Sequence, residues 1–184
     1  MTMNSRLASI LCALALAAIP ACAMAQDGIW KDRYGRPVPQ TESRRTLNGL
    51  GGWVVVTPDT DWEEKWARPS VIGPVFTQAK KVPKGKPVFV LVFLGNPEVG
   101  ADGRADVSCD LNVTGPDGRS LVQQSIACFQ GVPGGARNSM YLSKPVLGIT
   151  SEPSDPSGTW TVQVSLKDKL SGTALPLKTT FIVE

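Results

Sequence analysis

The chain has 184 residues, with 19 lysines and arginines against 16 aspartates and glutamates, and no histidine. That near-balance of charge excludes a strong electrostatic claim on nucleic acid, which asks for a clustered basic excess. The missing imidazole excludes Ser-His-Asp and Cys-His nucleophilic catalysis and most catalytic zinc sites, leaving carboxylate-pair, Ser-Lys or tyrosine chemistry as routes open to an enzyme.

Residues 1–25 read as a secretory signal peptide. Arg6 supplies the positive n-region, Leu7 to Ala18 form the apolar h-region, and Pro20 breaks it. Ala23-Met24-Ala25 then supplies the small-x-small site for cleavage before Gln26. The apolar run is too short for a membrane span, and no later run is long enough, so no transmembrane span is expected. Ile19-Pro20-Ala21-Cys22 resembles a lipoprotein cleavage box. Proline two residues ahead of the cysteine argues for simple cleavage over lipidation at Cys22. The expected location is periplasmic or secreted.

Residues 26–50 are polar and charged, with a basic concentration at Lys31, Arg33, Arg36, Arg44 and Arg45. They read as an extended N-terminal arm, ordered in part, with Trp30 and Tyr34 able to tuck against a domain. Residues 51–184 read as that domain. Gly52 to Thr57 is a β-prone run ended by Pro58. Asp59 to Trp66 follows as a short helix, with Thr60 and Glu63 in capping-box spacing and Pro69 as its stop. Trp62 and Trp66 fall four apart on one helix face. Burial against a sheet is the leading reading of that pair, and an aromatic platform binding a sugar or peptide is the sharper one.

Strands are then expected at Val75–Lys81, Pro87–Leu94 (the most apolar run, hence central), Asp106–Thr114, Arg119–Phe129, Ser139–Gly148, Gly158–Lys167 and Leu175–Val183. Asn96-Pro97, Asp102-Gly103, Gly134-Gly135 and Ser171-Gly172 punctuate them. Many short strands with Gly and Pro punctuation indicate an all-β fold, a single antiparallel β-sandwich with a short helix near its N-terminal side.

Cys109 and Cys128 are the cysteines that remain after cleavage, and an oxidising compartment makes a disulfide between them the default. Gly115-Pro116-Asp117-Gly118 between two β-prone runs reads as a hairpin turn. Folding about Asp117 and Gly118 sets Ile126 opposite Cys109, so Cys128 stands two residues out of register unless a bulge or a slightly longer turn absorbs the offset. The spacing is far from the Cys-x-x-Cys of redox centres, so the pair reads as a structural staple.

Candidate chemistry is sparse. Asn96, Glu98, Asp102, Asp106 and Asp110 cluster without the alternating-acid spacing of a calcium loop, so no metal site and no cofactor is expected. Asp61, Glu63, Glu64, Asp106 and Asp110 are available to a carboxylate-pair hydrolase, and no spacing selects two of them. Asn112-Val113-Thr114 matches a glycosylation acceptor but falls in an expected strand behind a bacterial-looking signal, and is discounted.

Glu152 to Val164, with its Pro/Asp-rich turn, Gly158 and Trp160 leading into an alternating strand, resembles the penultimate strand of bacterial immunoglobulin-like domains. Lys167 to Gly172 resembles the short hairpin before their last strand. The resemblance covers about Pro83 to Glu184 and implies an immunoglobulin-like topology with Trp160 in the core, with no functional motif attached. Asn96-Pro97-Glu98-Val99-Gly100 and Gly131-Val132-Pro133-Gly134-Gly135 resemble two of the three inhibitory loops of chagasin-type protease inhibitors. That family's third motif, Arg-Pro-aromatic, is absent from Asp168–Leu170, and so are the threonines of the first loop.

The leading expectation is an exported non-catalytic protein that binds or scaffolds a protein or glycan of the bacterial envelope or extracellular space. The alternatives are a histidine-free carboxylate hydrolase and an immunoglobulin-like protease inhibitor.

Overall fold

The computed structural model describes residues 29–32, 34–68, 73–135 and 139–184. The signal peptide, Cys22, Arg33 and Pro69 lie outside them. Two five-stranded sheets pack face to face. The back sheet holds β1 (Arg44–Leu47), β2 (Leu50–Thr57) and β4 (Pro87–Gly95), with β7 (Met140–Leu142) and β8 (Leu147–Thr150) sharing the far edge of β4. The front sheet runs β3 (Lys81–Val82), β10 (Ala174–Val183), β9 (Gly158–Asp168), β5 (Ala105–Thr114) and β6 (Ser120–Gly131). Among the described residues one helix, α1 (Trp62–Ala67), lies between β2 and β3 in sequence. This is an immunoglobulin-like β-sandwich, antiparallel except for the parallel pairing of β3 with β10.

Strict alternation builds the front sheet. Val107, Cys109, Leu111 and Val113 of β5 face inward, as do Trp160, Val162, Val164 and Leu166 of β9 and Leu175, Leu177 and Phe181 of β10. Their intervening residues are polar in β5 and β9, and in β10 are Pro176, Lys178 and Thr180, as period-two burial of a one-sided sheet favours. Trp160 is 2% exposed; its Nε1 donates to the Pro156 carbonyl at 3.1 Å, so the core takes the ring without orphaning its polar atom. Gly52 lets β2 approach β9 and β10, since a Cβ there would strike Leu166, Leu175 and Leu177.

β4 follows a different logic. Val88, Val90, Val92 and Leu94 face the main core, while Leu91 and Phe93 face a second cluster on the outside of the back sheet. Burial on both faces explains its continuous apolar run.

The expected hairpin forms. Cys109 stands opposite Ile126, and Cys128 is the extra residue where the ladder shifts between Val107 and Ser108. The bulge carries Cys128 onto the core face, where it is disulfide-bonded to Cys109 with the Cα atoms 5.6 Å apart. In antibody domains the bridge joins the two sheets; here it joins neighbouring strands of one.

Four local expectations are corrected. Arg44–Leu47 lies in the segment expected as an arm, yet it forms β1 against β2. The same segment is anchored further: Ile29 fills a notch over the paired Gly51 and Gly95, and Trp30 Nε1 donates to the Arg45 carbonyl at 3.0 Å. The capping box is absent. Asp61 is the N-cap without a side-chain cap bond, and a six-residue helix draws its stability from packing. Of Val75–Lys81, only Lys81 enters a ladder, because the segment changes sheets: the Ala79 N–H donates to the Val56 carbonyl and the Ile182 N–H to the Lys80 carbonyl. Ser139–Gly148 divides into β7 and β8 around Pro145, which has no N–H to donate and follows a cis peptide bond.

Candidate functional site

Four connections meet at one end of the sandwich. The first is the β1–β2 turn, Asn48-Gly49, with φ of 50° and 88°. Positive φ at both central residues suits the right-handed twist of a two-residue hairpin, and Asn-Gly supplies it at least cost. The second is the β4–β5 loop from Asn96 to Gly100. Asn96 also has positive φ, at 52°, and its Nδ2 donates to the Gly49 carbonyl at 3.0 Å. The third is the β9–β10 turn after Asp168, and the fourth is the start of the β6–β7 connection at Val132 to Gly135.

Asp168 ties two of these together. It ends β9 facing inward, where the alternation of that strand calls for an apolar residue, and it is 2% exposed. One carboxylate oxygen accepts the Glu98 N–H at 2.7 Å; the other accepts the Leu170 and Ser171 N–H groups at 3.0 and 3.2 Å. Three backbone donors satisfy the carboxylate and fix both loops relative to each other. On the fourth loop, Tyr141 Oη donates to the Gly134 carbonyl at 2.6 Å, and the Tyr141 ring packs on Phe129. The cleft between the loops is lined by Asn48, Asn96, Glu98, Pro133, Tyr141 and Ser171, among others.

Three aliphatic side chains stand exposed at this otherwise polar end. Val99, Val132 and Leu170 are 45%, 65% and 48% exposed, one on each of three loops.

The two tryptophans singled out from the sequence lie elsewhere. Trp62 and Trp66 are half-buried on the outer face of the back sheet, 6.1 Å from Phe89 and 5.4 Å from Phe93 between ring centroids. Trp53 and Phe76 complete this lid, at 5.2 and 5.6 Å from Phe93. Lys65 clamps the helix by bonding Asp59 at 2.8 Å and Asp61 at 3.1 Å. Burial opposes ionisation of Asp59, but hydrogen bonds from Lys65, Thr77 and Thr57 together hold its carboxyl below the ordinary value.

Two of the candidate acids are engaged by neighbouring side chains. Asp106 is bonded by Lys169 and Gln130, and Asp110 by Lys167 and Ser125; these partners lower both pKa values. A general acid needs a raised one. Asp61, Glu63 and Glu64 belong to the helical end of the other sheet, remote in the fold from β5. Among the described residues, no three His, Cys, Asp or Glu side chains cluster to hold a metal, and no helix is long and apolar enough to cross a membrane.

Asp168 and the Asn48-Gly49 turn were not selected from the sequence. Asn-Gly is a strong two-residue hairpin signal, hidden here by the charged residues around it. Asp168 left a fainter one: an acid at a position where Trp160, Val162, Val164 and Leu166 set the inward phase.

No family model matches the chain, and no curated protein matches it. Among solved structures it is similar to a family 123 glycoside hydrolase from Clostridium perfringens, with TM-score 0.45 and 8% identity, covering 74% of this chain and 27% of the hydrolase. The chain thus spans about a quarter of that enzyme's length. It is also similar to a CARDB domain from Pyrococcus furiosus solved with di-metal ions, with TM-score 0.40 and 9% identity over 80% of this chain and 99% of the domain. An immunoglobulin-like protein from Pseudomonas aeruginosa matches with TM-score 0.32 and 19% identity, over 60% of this chain and 83% of that one.

Proposed function

We propose that this protein is an exported, non-catalytic binding or scaffolding domain that docks a protein of the bacterial envelope or extracellular space through the loop end of its sandwich. The observation that carries this reading is the exposure of Val99, Val132 and Leu170 on three loops that line one cleft, two of them locked together by the buried Asp168. Exposed aliphatic side chains on a fixed frame favour a protein partner over a glycan. The disulfide between Cys109 and Cys128 and the signal-like first 25 residues support export to an oxidising compartment, periplasmic or secreted. Asp106 and Asp110 are each paired with a lysine, Lys169 and Lys167, which weighs against a free acid pair there.

The test is affinity capture from the native envelope with tagged mature protein, run beside a Val99→Asp, Val132→Asp, Leu170→Asp variant. A discrete partner retained by the parent and lost by the variant supports the reading. Hydrolysis of a glycan or peptide by pure protein, with no partner recovered, would sink it.

One observation favours a second reading. The two stretches that resemble chagasin-type inhibitory loops, and the turn where the third motif would fall, come together at this end. Inhibition of proteases by pure protein, abolished in the same triple variant, would assign the docking surface to that role. Trp62 and Trp66 remain the second candidate surface, for a sugar or peptide. Loss of binding in Trp62→Ala with the fold retained by circular dichroism would move the site to the lid.

A further inference from the structure

We propose that the protein associates with a second copy of itself by antiparallel pairing of β6 with β6 across a twofold axis at Gln124. β6 ends the front sheet, and among the described residues no strand pairs with its outer edge. It is 12 residues long, SLVQQSIACFQG, with no charged residue and no proline. Exposed edges are ordinarily blunted by charge, proline or brevity, because an open row of backbone N–H and C=O groups invites another strand. β6 carries neither charge nor proline, and its two bulges lie outside its central stretch.

Its ladder singles out one stretch. The register with β5 shifts at Leu121 and again at Cys128, leaving Val122–Ala127 as a regular segment between two bulges. Within it Val122, Gln124 and Ile126 stand opposite Val113, Leu111 and Cys109, so all three lie on the core-side face. Gln123 and Ser125 lie on the outer face, opposite Asn112 and Asp110.

The sequence of this stretch is symmetric in character about Gln124: aliphatic, polar, Gln124, polar, aliphatic. In an antiparallel pair, directly opposed residues share a face. With the axis at Gln124, Val122 meets Ile126 of the other copy on the core side, Gln123 meets Ser125 on the outer side, and the two Gln124 amides face each other. Apolar meets apolar, polar meets polar, and no like charges are opposed. A shift of the axis by one residue, to Gln123 or Ser125, would set an aliphatic side chain against the Gln124 amide. The self-complementarity of this one register is what points to a second copy rather than a foreign strand. Because the strands run in opposite directions, the two loop ends would face away from each other, making the assembly bivalent for a partner. The inference stands apart from the docking role of the loops.

Sedimentation of the mature protein across micromolar to millimolar concentration, beside Gln124→Lys and Gln124→Glu variants, tests it. Gln124 is exposed, so both variants are expected to fold, and circular dichroism checks this. The parent should dimerise reversibly. Each variant alone should associate about tenfold or more weakly, because it opposes like charges at the axis. An equimolar mixture of the two should recover association. A parent that stays monomeric throughout, or variants that dimerise as well as the parent, would overturn the proposal.

Discussion

The outer faces of the two sheets carry opposite chemistry. The back sheet's face is roofed by aromatic rings, with Trp53, Phe89 and Phe93 below and Trp62, Trp66 and Phe76 above. Among the described residues the front sheet's face carries no helix and is mostly polar: Gln123, Asn112, Gln163 and Lys178 form one row across four strands, and Ser125, Asp110 and Ser165, with Pro176, form the next. The same fold therefore contains a sheet stabilised from both sides and a sheet stabilised from one side plus a covalent tie. The lesson is where each part draws its stability, and mutation should divide along that line.

The largest effect is expected at Phe93, which is 0% exposed and at the centre of the lid. Phe93→Ala should cost about 3–5 kcal/mol and abolish much of the near-ultraviolet signal, read by urea unfolding and circular dichroism. Next comes the tie of the front sheet. Replacing Cys109 and Cys128 by alanine should cost roughly 3 kcal/mol through the freed loop entropy, measured as a fall in the urea midpoint. In the parent, thiol labelling of unfolded, unreduced protein should find no reactive cysteine.

A smaller loss, about 2 kcal/mol, is expected for Trp62→Ala, since the ring is half-buried. Asp59→Asn should cost about 1 kcal/mol, because a charge-assisted hydrogen bond is weakened. This effect has a definite pH sign. The folded-state pKa of Asp59 lies below its unfolded value, so its contribution is complete above the ordinary aspartate range. It is lost as pH falls through the depressed folded value. The gap between parent and Asp59→Asn should therefore close in acid. Smallest of all, Gln163→Ala on the front sheet's outer face should move stability by less than about 0.5 kcal/mol. A large loss there would mean that the polar face is not simply solvated.

Much of the front sheet was legible because it obeys one rule. Trp160, Val162, Val164 and Leu166 alternate, and the Asp117-Gly118 turn sets Cys109 opposite Ile126, as observed. The back sheet hid more. Its strand β4 shows an apolar run that reveals burial on both faces but not what covers the second one. The spacing of Trp62 and Trp66 pointed to a packed face, whereas Phe76 comes from a segment that read as a strand. β1 was masked by charge: Arg44 and Arg45 suggested a solvated tail, yet Arg44 lies over the Trp53 ring, 5.9 Å from its centroid. The loop end was least legible. Asp168 takes its nearest donor from Glu98, 70 residues away, and a backbone N–H leaves no trace in side-chain pattern.

The central claim is that the loop end, and neither outer face, meets the partner. Site-specific photo-crosslinking in cells tests it most directly, with the reactive group placed in turn at Val132, Leu170, Trp66 and Gln163. One discrete adduct is expected from Val132 and Leu170 and none from Trp66 or Gln163. Adducts from Trp66 or Gln163, with none from the loops, would contradict it.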